Sequence, residues 1–521
     1  MLTGEFLRLS ARRAPERTAV TDGDRRLSYR ELDAEANRFA HALANLGLTK
    51  GSTIAIMASN RPEYAVAYFG AARAGVLLAH VSLRSTAEDL RYMLDKIGAE
   101  ALLLEPRSTR TVRHASRRLP NLRHEILLNG SDGAAENGDR PSDSMPLDDL
   151  MSGAPDTPPT VEVFETDPLG ITFTGGTTGF PKAVLVSHKA RAATAYAAAV
   201  DFGLGESDIV AATTPMFHCA GLFVWFAPAV MLGATVVTLP TWDSALFMDL
   251  TEQEGITAAF FVPSQLNDLV SHPAFSAERL RTLRNIGYAG APMGRALLER
   301  VQAALPHVAF TENYGQSETC PLTVRRPEHG SARLGTVGRP AFNVELEVVG
   351  PDGRPVAAGH VGEIVTRGDQ LFDGYFGDAE QTQAAFPRAD GWLWTGDLGF
   401  LDDDGFLTLV DRSKDMLVSG GENIYPAEIE NALYGHPSVA ECAVFGIPDD
   451  HWGEVPAAHV VLADGRTATD DELIDHCTRR IPRHKRPRLV CFVDALPRTA
   501  VGKIRKNLLR EPYWRDRESK I

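Results

Sequence analysis

Apolar residues recur at helical spacing through RELDAEANRFAHALANLGL, and this pattern predicts an amphipathic helix over 30–48 that ends near Gly47. STIAIMAS, over 52–59, reads as a strand. PEYAVAYFGAARAG, over 62–75, predicts a second helix with Pro62 in its first turn, where a missing N–H costs nothing. VLLAHVSL and EALLLEP read as further strands. Strands alternating with helices imply α/β layering on parallel sheets. Between 129 and 160 the chain is rich in Gly, Ser, Asp and Pro and reads as a surface loop.

From Ile209 to Trp242 the chain carries no Lys, Arg, Asp or Glu. Length alone would allow a membrane span, which needs about 20 apolar residues. Gly221, Pro228 and Gly233 interrupt the run, and Asp208 and Asp243 bound it in place of basic anchors. Its end, ATVVTLP, is β-branched. The expectation is a buried helix followed by a buried strand, with no transmembrane segment. Peripheral membrane contact and homo-oligomerisation stay open. At the N-terminus Glu5 precedes any long apolar run, the wrong order for a secretory signal.

After about Val344 short strands separated by Gly turns predict a β-rich subdomain. AEIENALYGHPSVAECAVFGIPD then reads as helix, turn and strand, and DELIDHCTRRI as another helix. The predicted fold class is α/β: a large N-terminal domain of layered α/β subdomains plus a β-rich subdomain, followed by a small mobile α+β C-terminal domain. The expected boundaries are 1–411 for the first domain, 412–414 for a hinge and 415–521 for the second.

Composition narrows the function. The 521 residues include 53 Lys and Arg against 68 Asp and Glu, a formal charge of −15, so nucleic acid is not an expected partner. The basic run from Arg479 to Arg488 lacks interleaved aromatics and reads as a solvated face, or as a contact for the phosphates of a ligand. Cys219, Cys320, Cys442, Cys477 and Cys491 are scattered and hold no CxxC pair. That pattern fits neither a disulfide framework nor a zinc ribbon, and suits a reducing, cytoplasmic setting.

The strongest chemical signal is ITFTGGTTGFPKAV, from Ile171 to Val184. A strand enters a loop of Thr174, Gly175, Gly176, Thr177, Thr178 and Gly179, followed by Pro181 and Lys182. Glycines let backbone N–H groups approach a polyanion, hydroxyls add donors, and lysine adds a mobile charge. The spacing is not that of the GxxxxGK[ST] loop, because Phe180 and Pro181 separate Gly179 from Lys182. It is a different phosphate-loop candidate.

This loop resembles the signature of the adenylate-forming superfamily, which includes acyl-CoA synthetases, adenylation domains and firefly luciferases. Gly175 stands where that family usually has serine, and Ala183 where it has glycine. TPMFHCAGL around His218, YAGAPM from Tyr288 to Met293, and NYGQSETC from Asn313 to Cys320 resemble further family motifs in the family's order. So do WLWTGDLG, with Asp397, DRSKDMLVSGGENIYPAEIE from Asp411 to Glu430, and PRTAVGKI, with Lys503. The resemblance covers nearly the whole chain.

The resemblance implies an enzyme, an AMP-forming acyl-CoA synthetase. It implies ATP, Mg²⁺ and coenzyme A as cofactor and co-substrates, and a carboxylic acid as substrate. Lys182, His218, Glu318 and Lys503 match catalytic positions. Thr174 and Glu318 match the metal site, and sparse oxygen ligation suits Mg²⁺. Tyr314 matches the residue stacked on adenine, with Gly290, Ala291 and Pro292 on the other side. Asn313, Gly315 and Ser317 belong to the same nucleotide motif, Asp397 matches the acceptor for the ribose hydroxyls, and Arg412 matches a further nucleotide contact. Lys414 matches the hinge. Ser419, Gly420, Gly421 and Glu422 match the wall of the thiol tunnel.

Ala220, Gly221, Val224 and Trp225 are candidates for the acyl pocket. They add no charge, which favours an apolar acid. The motifs look most like those of bacterial fatty acyl-CoA synthetases. An aryl-acid CoA ligase, an enzyme that loads a carrier protein, and a non-catalytic acyl or nucleotide binder are the alternatives.

Overall fold

The computed structural model describes residues 1–116, 119–128, 144–174, 181–291, 293–413, 415–420, 422–498 and 504–515. The chain packs as two units. One comprises Met1–Leu346 and Thr366–Leu393, the other Glu347–Val365 and Trp394–Ile521.

The first helix of the pattern begins at Tyr29 and runs to Asn45, because Ser28 caps it. The Ser28 hydroxyl accepts from the Glu31 N–H while Glu31 reaches back to the Ser28 backbone, satisfying donors a helix start leaves open. Helix Pro62–Ala74 is apolar on all sides and is buried almost throughout, with Tyr64, Tyr68 and Phe69 at most 1% exposed.

Two large sheets dominate the first unit. In one of them, strands Thr53–Met57, Leu77–His80, Ala101–Leu104, His124–Leu127 and Pro168–Thr174 run parallel. Lys182–Ser187 then returns antiparallel, and Gly374–Tyr375 adds an edge. In the other, Thr18–Thr21, Thr235–Thr238, Ile209–Ala212, Ala258–Phe261, Asn285–Tyr288 and Ala309–Tyr314 are parallel neighbours. Thr53–Met57, Leu77–His80, Ala101–Leu104 and Ala258–Phe261 bury both faces, which is why they read as nearly continuous apolar runs.

The segment 209–242 folds as a strand, a π-helix over Ala220–Phe226, a helix over Ala227–Leu232 and a strand over Thr235–Thr238. Among the described residues no helix is long and apolar enough to cross a membrane. Part of the expected loop 129–160 is ordered differently. Met145–Pro146 pairs with His124–Leu127, and Leu147–Met151 forms a helix. Leu147 and Met151 lie on one side of that helical turn and are buried, which outweighs the local composition.

Strands Glu345–Val349, Gly362–Arg367, Leu393–Leu401 and Leu407–Arg412 form a four-stranded sheet. The second unit also holds a five-stranded sheet centred on the long Val439–Asp449 and Gly453–Leu462 pair. Helices Pro426–Tyr434 and Asp470–Thr478 cover it, with Leu433, Val444, Val460 and Leu473 in the core between. All five cysteines are free thiols.

Candidate functional site

In the first unit the candidate residues gather beyond the carboxyl ends of parallel strands, where open α/β sheets place their ligands. Strand Pro168–Thr174 and strand Lys182–Ser187 pair so that Thr174 faces Lys182 across the ladder. Gly175, Gly176, Thr177, Thr178 and Gly179 lie outside the described residues.

Lys182 Nζ sits 4.6 Å above the ring of Tyr375. The Tyr375 hydroxyl donates to Glu318 Oε1 at 2.9 Å, and the Phe372 N–H donates to the Glu318 carbonyl at 2.9 Å. Burial raises the Glu318 carboxyl above the usual range, and the Tyr375 hydrogen bond opposes that rise. One carboxylate oxygen is therefore engaged by a phenol, and the group retains acceptor capacity for a hard cation. Glu318 and the Thr174 hydroxyl supply oxygen donors only, and that donor set fits Mg²⁺.

Strand Ala309–Tyr314 pairs parallel with Asn285–Tyr288, with Tyr288 opposite Glu312. The residues that follow each strand thus share one end of the sheet, which brings Gly290 and Ala291 to the same edge as Asn313 and Tyr314. Gly290 turns the chain there at φ 89°. Pro292 lies outside the described residues. Asn313 is buried and donates to the Thr323 carbonyl at 3.3 Å, and the chain folds closely around Gly315. Ser317 Oγ donates to Cys219 Sγ at 3.5 Å, which ties the glutamate turn to the His218 segment.

His218 ends a tight turn that caps the π-helix. Its Nδ1 accepts from the Ala220 N–H at 3.3 Å, so in the neutral ring the proton sits on Nε2. A β-carbon at Gly221 would stand 2.4 Å from the Pro215 carbonyl oxygen, so the π-helix rests directly on the strand end below it. π-Helical turns are rare and concentrate at functional sites. Ala220 is half-buried and Val224 fully buried. Trp225 turns into the core: Nε1 donates to the Ala211 carbonyl at 3.1 Å, and the indole meets Phe202 and Phe260 edge-on or tilted, each at 5.4 Å.

In the second unit Asp397 and Arg412 are direct partners in the Leu393–Leu401 and Leu407–Arg412 ladder. Arg412 Nε lies 3.3 Å from Asp397 Oδ1. The Thr395 hydroxyl bridges the turn, donating to the Ile364 carbonyl and accepting from the Asp397 N–H. Asp411 accepts from the N–H groups of Arg412 and Ala427, which anchors the start of helix Pro426–Tyr434. Ser419 faces Glu422 across a hairpin. Gly420 has φ 58°, and a β-carbon there would lie 2.7 Å from the Trp452 ring. Glu422 pairs with His484 at 2.9 Å. Lys414, Gly421 and Lys503 lie outside the described residues. Arg498 and Ile504, on either side of the lysine segment, are bridged to each other.

Two groups escaped the sequence reading, the half-buried Tyr375 and the buried Arg191. Tyr375 is 57 residues from Glu318 and sits in no motif. Arg191 is fully buried, donates to the Gln370 carbonyl at 3.0 Å and lies 4.9 Å from the Phe223 ring centre, behind the π-helix. Only the apolar neighbourhood of Arg191 in its helix hinted at burial.

A family model described as AMP-binding enzyme matches residues 7–376, and one described as AMP-binding enzyme C-terminal domain matches 428–503. The chain is 34% identical over 504 residues to a feruloyl-CoA synthase of Amycolatopsis sp, covering 96% of this chain and 97% of that one. It is 34% identical over 517 residues to a long-chain-fatty-acid–CoA ligase of Mycobacterium tuberculosis, covering 98% of each. ATP-bound MatB from Rhodopseudomonas palustris superimposes with a TM-score of 0.88 at 28% identity, over 99% of each chain.

Proposed function

This chain belongs to the AMP-binding enzyme family and is an AMP-forming acid–CoA ligase, and from that premise we propose that it activates an apolar carboxylic acid, a fatty acid first. The observation that carries the reading is the assembly of Lys182, Tyr375 and Glu318 at one end of the Thr174 strand. It presents an ammonium and a buried carboxylate where the glycine- and threonine-rich loop leaves and re-enters the sheet. A nucleoside triphosphate with its metal needs those two charges.

In the first half-reaction a carboxylate oxygen of the acid bonds to the α-phosphorus of ATP and the bond to pyrophosphate breaks, giving acyl-AMP and pyrophosphate. Lys182 binds phosphate oxygens, and Lys503 bridges the acid and the α-phosphate as charge builds. Tyr314 stacks on adenine opposite Gly290, Ala291 and Pro292, with Asn313, Gly315 and Ser317 completing that wall. Asp397 accepts from the ribose hydroxyls, beside Arg412. Glu318 and Thr174 would hold Mg²⁺, which when bound screens the repulsion between two anions.

In the second half-reaction the thiol sulfur of coenzyme A bonds to the acyl carbon and AMP leaves. Rotation of the C-terminal domain, 415–521, about Lys414 withdraws Lys503 and presents Ser419, Gly420, Gly421 and Glu422 along the thiol path. His218 stands between the acyl-phosphate and the pocket formed by Ala220, Gly221 and Val224. Similarity to a feruloyl-CoA synthase supports an aryl acid as the second reading, against a fatty acid as the first.

The test is ATP–pyrophosphate exchange across a panel of aliphatic and aryl acids, followed by thioester detection with coenzyme A. The expected result is acid-dependent exchange and an acyl-CoA product. Exchange without transfer to coenzyme A, but with transfer to a carrier protein, replaces the acceptor. ATP binding without exchange for every acid overturns the ligase reading.

A further inference from the structure

Tyr375 is held on every side. Its backbone pairs with Val184 in the lysine strand, and the next residue, Phe376, donates to the Ala183 carbonyl at 2.8 Å. The Tyr375 N–H donates to Thr382 Oγ1 at 2.9 Å, and Phe372 packs against the ring in an edge contact at 4.9 Å. A ring fixed in this way presents two different chemical faces. Its π-cloud lies under the Lys182 ammonium, and its hydroxyl points at the Glu318 carboxylate.

An ammonium over the ring face and a buried carboxylate at the ring hydroxyl attract each other. A direct ion pair would neutralise both groups and occupy the donors of one and the acceptors of the other. The ring quadrupole instead attracts the cation to its face, while the O–H donor satisfies a single carboxylate oxygen. Neither contact is an ion pair, so each group keeps capacity for a ligand.

We propose that Tyr375 is a positioning residue that holds Lys182 and Glu318 apart and oriented, the lysine for phosphate and the glutamate for a divalent cation. This rests on the reading of those two residues given above. Tyr375 acts through those two residues. It acts by preventing the collapse of the site into a Lys182–Glu318 pair before the nucleotide arrives.

The test uses the full chain with Tyr375→Phe, which keeps the ring and removes the hydroxyl, and Tyr375→Leu, which removes both. Two bindings are measured: ATP alone by calorimetry, and Mn²⁺ to the ATP complex by electron paramagnetic resonance. Tyr375→Phe should bind metal-free ATP within about two-fold of wild type, because the cation–π contact survives. It should bind Mn²⁺ roughly ten-fold more weakly, as expected for losing a hydrogen bond to a charged group. Tyr375→Leu should lose both affinities, ATP by about three- to ten-fold. In exchange assays the same split should appear as a raised metal requirement for the first variant and a raised KM for ATP in the second.

Lys182→Ala and Glu318→Gln separate the possible failures. If these weaken ATP and Mn²⁺ binding but Tyr375→Phe binds Mn²⁺ like wild type, the role of the tyrosine is overturned. If they leave both bindings intact, the functional reading of the site falls and the proposal falls with it. Loss of thermal stability in both tyrosine variants with unchanged binding marks Tyr375 as a packing residue only and also overturns the proposal.

Discussion

Asp397 and Arg412 stand directly opposite each other on neighbouring antiparallel strands, with the guanidinium Nε 3.3 Å from the carboxylate Oδ1. The carboxylate is buried while the arginine side chain is 42% exposed. A half-exposed pair contributes little to stability, on the order of 0–1 kcal/mol. Under the proposed function its weight falls on ligand binding, with Asp397 accepting from the ribose hydroxyls beside Arg412. Asp397→Asn should raise KM for ATP by about ten-fold, since it weakens charge-assisted hydrogen bonds, and leave Tm within a few degrees. Steady-state kinetics with ATP varied, together with a thermal melt, checks this. A large fall in Tm with unchanged KM would remove Asp397 from the nucleotide site.

Lys503→Ala should slow acyl-adenylate formation by at least about 100-fold, because a positioned cation is lost where charge develops. Thioester formation from supplied acyl-adenylate should fall far less. In the proposed mechanism the lysine serves only one orientation of the domain that carries it. Separate measurement of the two half-reactions decides the matter, and equal losses would contradict the division of labour.

Trp225→Ala should cost about 3–5 kcal/mol of stability, the usual range for deleting a large core aromatic. The indole fills space between Phe202 and Phe260 and satisfies the Ala211 carbonyl. The ranking of acids by chain length should not change. Chemical denaturation and kcat/KM for a homologous acid series supply the two measurements. A shift toward longer acids would return Trp225 to the pocket wall.

Gly420→Ala should impair thioester formation. The new β-carbon is strained at φ 58° and meets the Trp452 ring at 2.7 Å, so the hairpin or the indole must move. Adenylation should be nearly unaffected. A variant with wild-type thioester turnover would show that this hairpin does not line the thiol path.

Acid sensitivity follows from two buried imidazoles. Burial lowers His80 to about 3 and His188 to about 4, and His80 Nδ1 meets the Tyr64 hydroxyl at 2.8 Å. An unfolded histidine binds its proton near pH 6.5, so as pH falls below that value the unfolded chain gains protons first. The stability associated with each ring is intact above pH 6.5 and lost as pH drops toward 4, by about 3 kcal/mol each. Asp201 and Glu312, raised by burial, push the other way. The contrast is therefore between wild type and the His80→Gln, His188→Gln double variant. Urea midpoints between pH 7 and 4.5 should fall less steeply in the variant, and parallel slopes would contradict the assignment.

Much of the organisation was legible in one dimension because its causes are local. The helix at Tyr29–Asn45 follows from its own apolar stripe and the Ser28–Glu31 cap. The strand that enters the glycine- and threonine-rich segment, Pro168–Thr174, follows from its own apolar and β-branched run. The helix Leu147–Met151 was hidden because composition spoke for a loop while three-dimensional burial of Leu147 and Met151 spoke for a turn of helix.

What only tertiary structure decided is the company these residues keep. Glu318 looks like a solvated loop acid until Tyr375 and the Phe372 backbone close over it. Trp225 sits on the same segment as Val224, yet a π-helical turn sends its indole to the Ala211 carbonyl. Arg191 lies in an alanine-rich helix, and nothing nearby in the chain announces the Gln370 carbonyl it needs. Periodicity records which side of an element is apolar, because neighbours three or four apart share a face. It carries no record of contacts between residues far apart in the chain, since those depend on where separate strands are laid side by side.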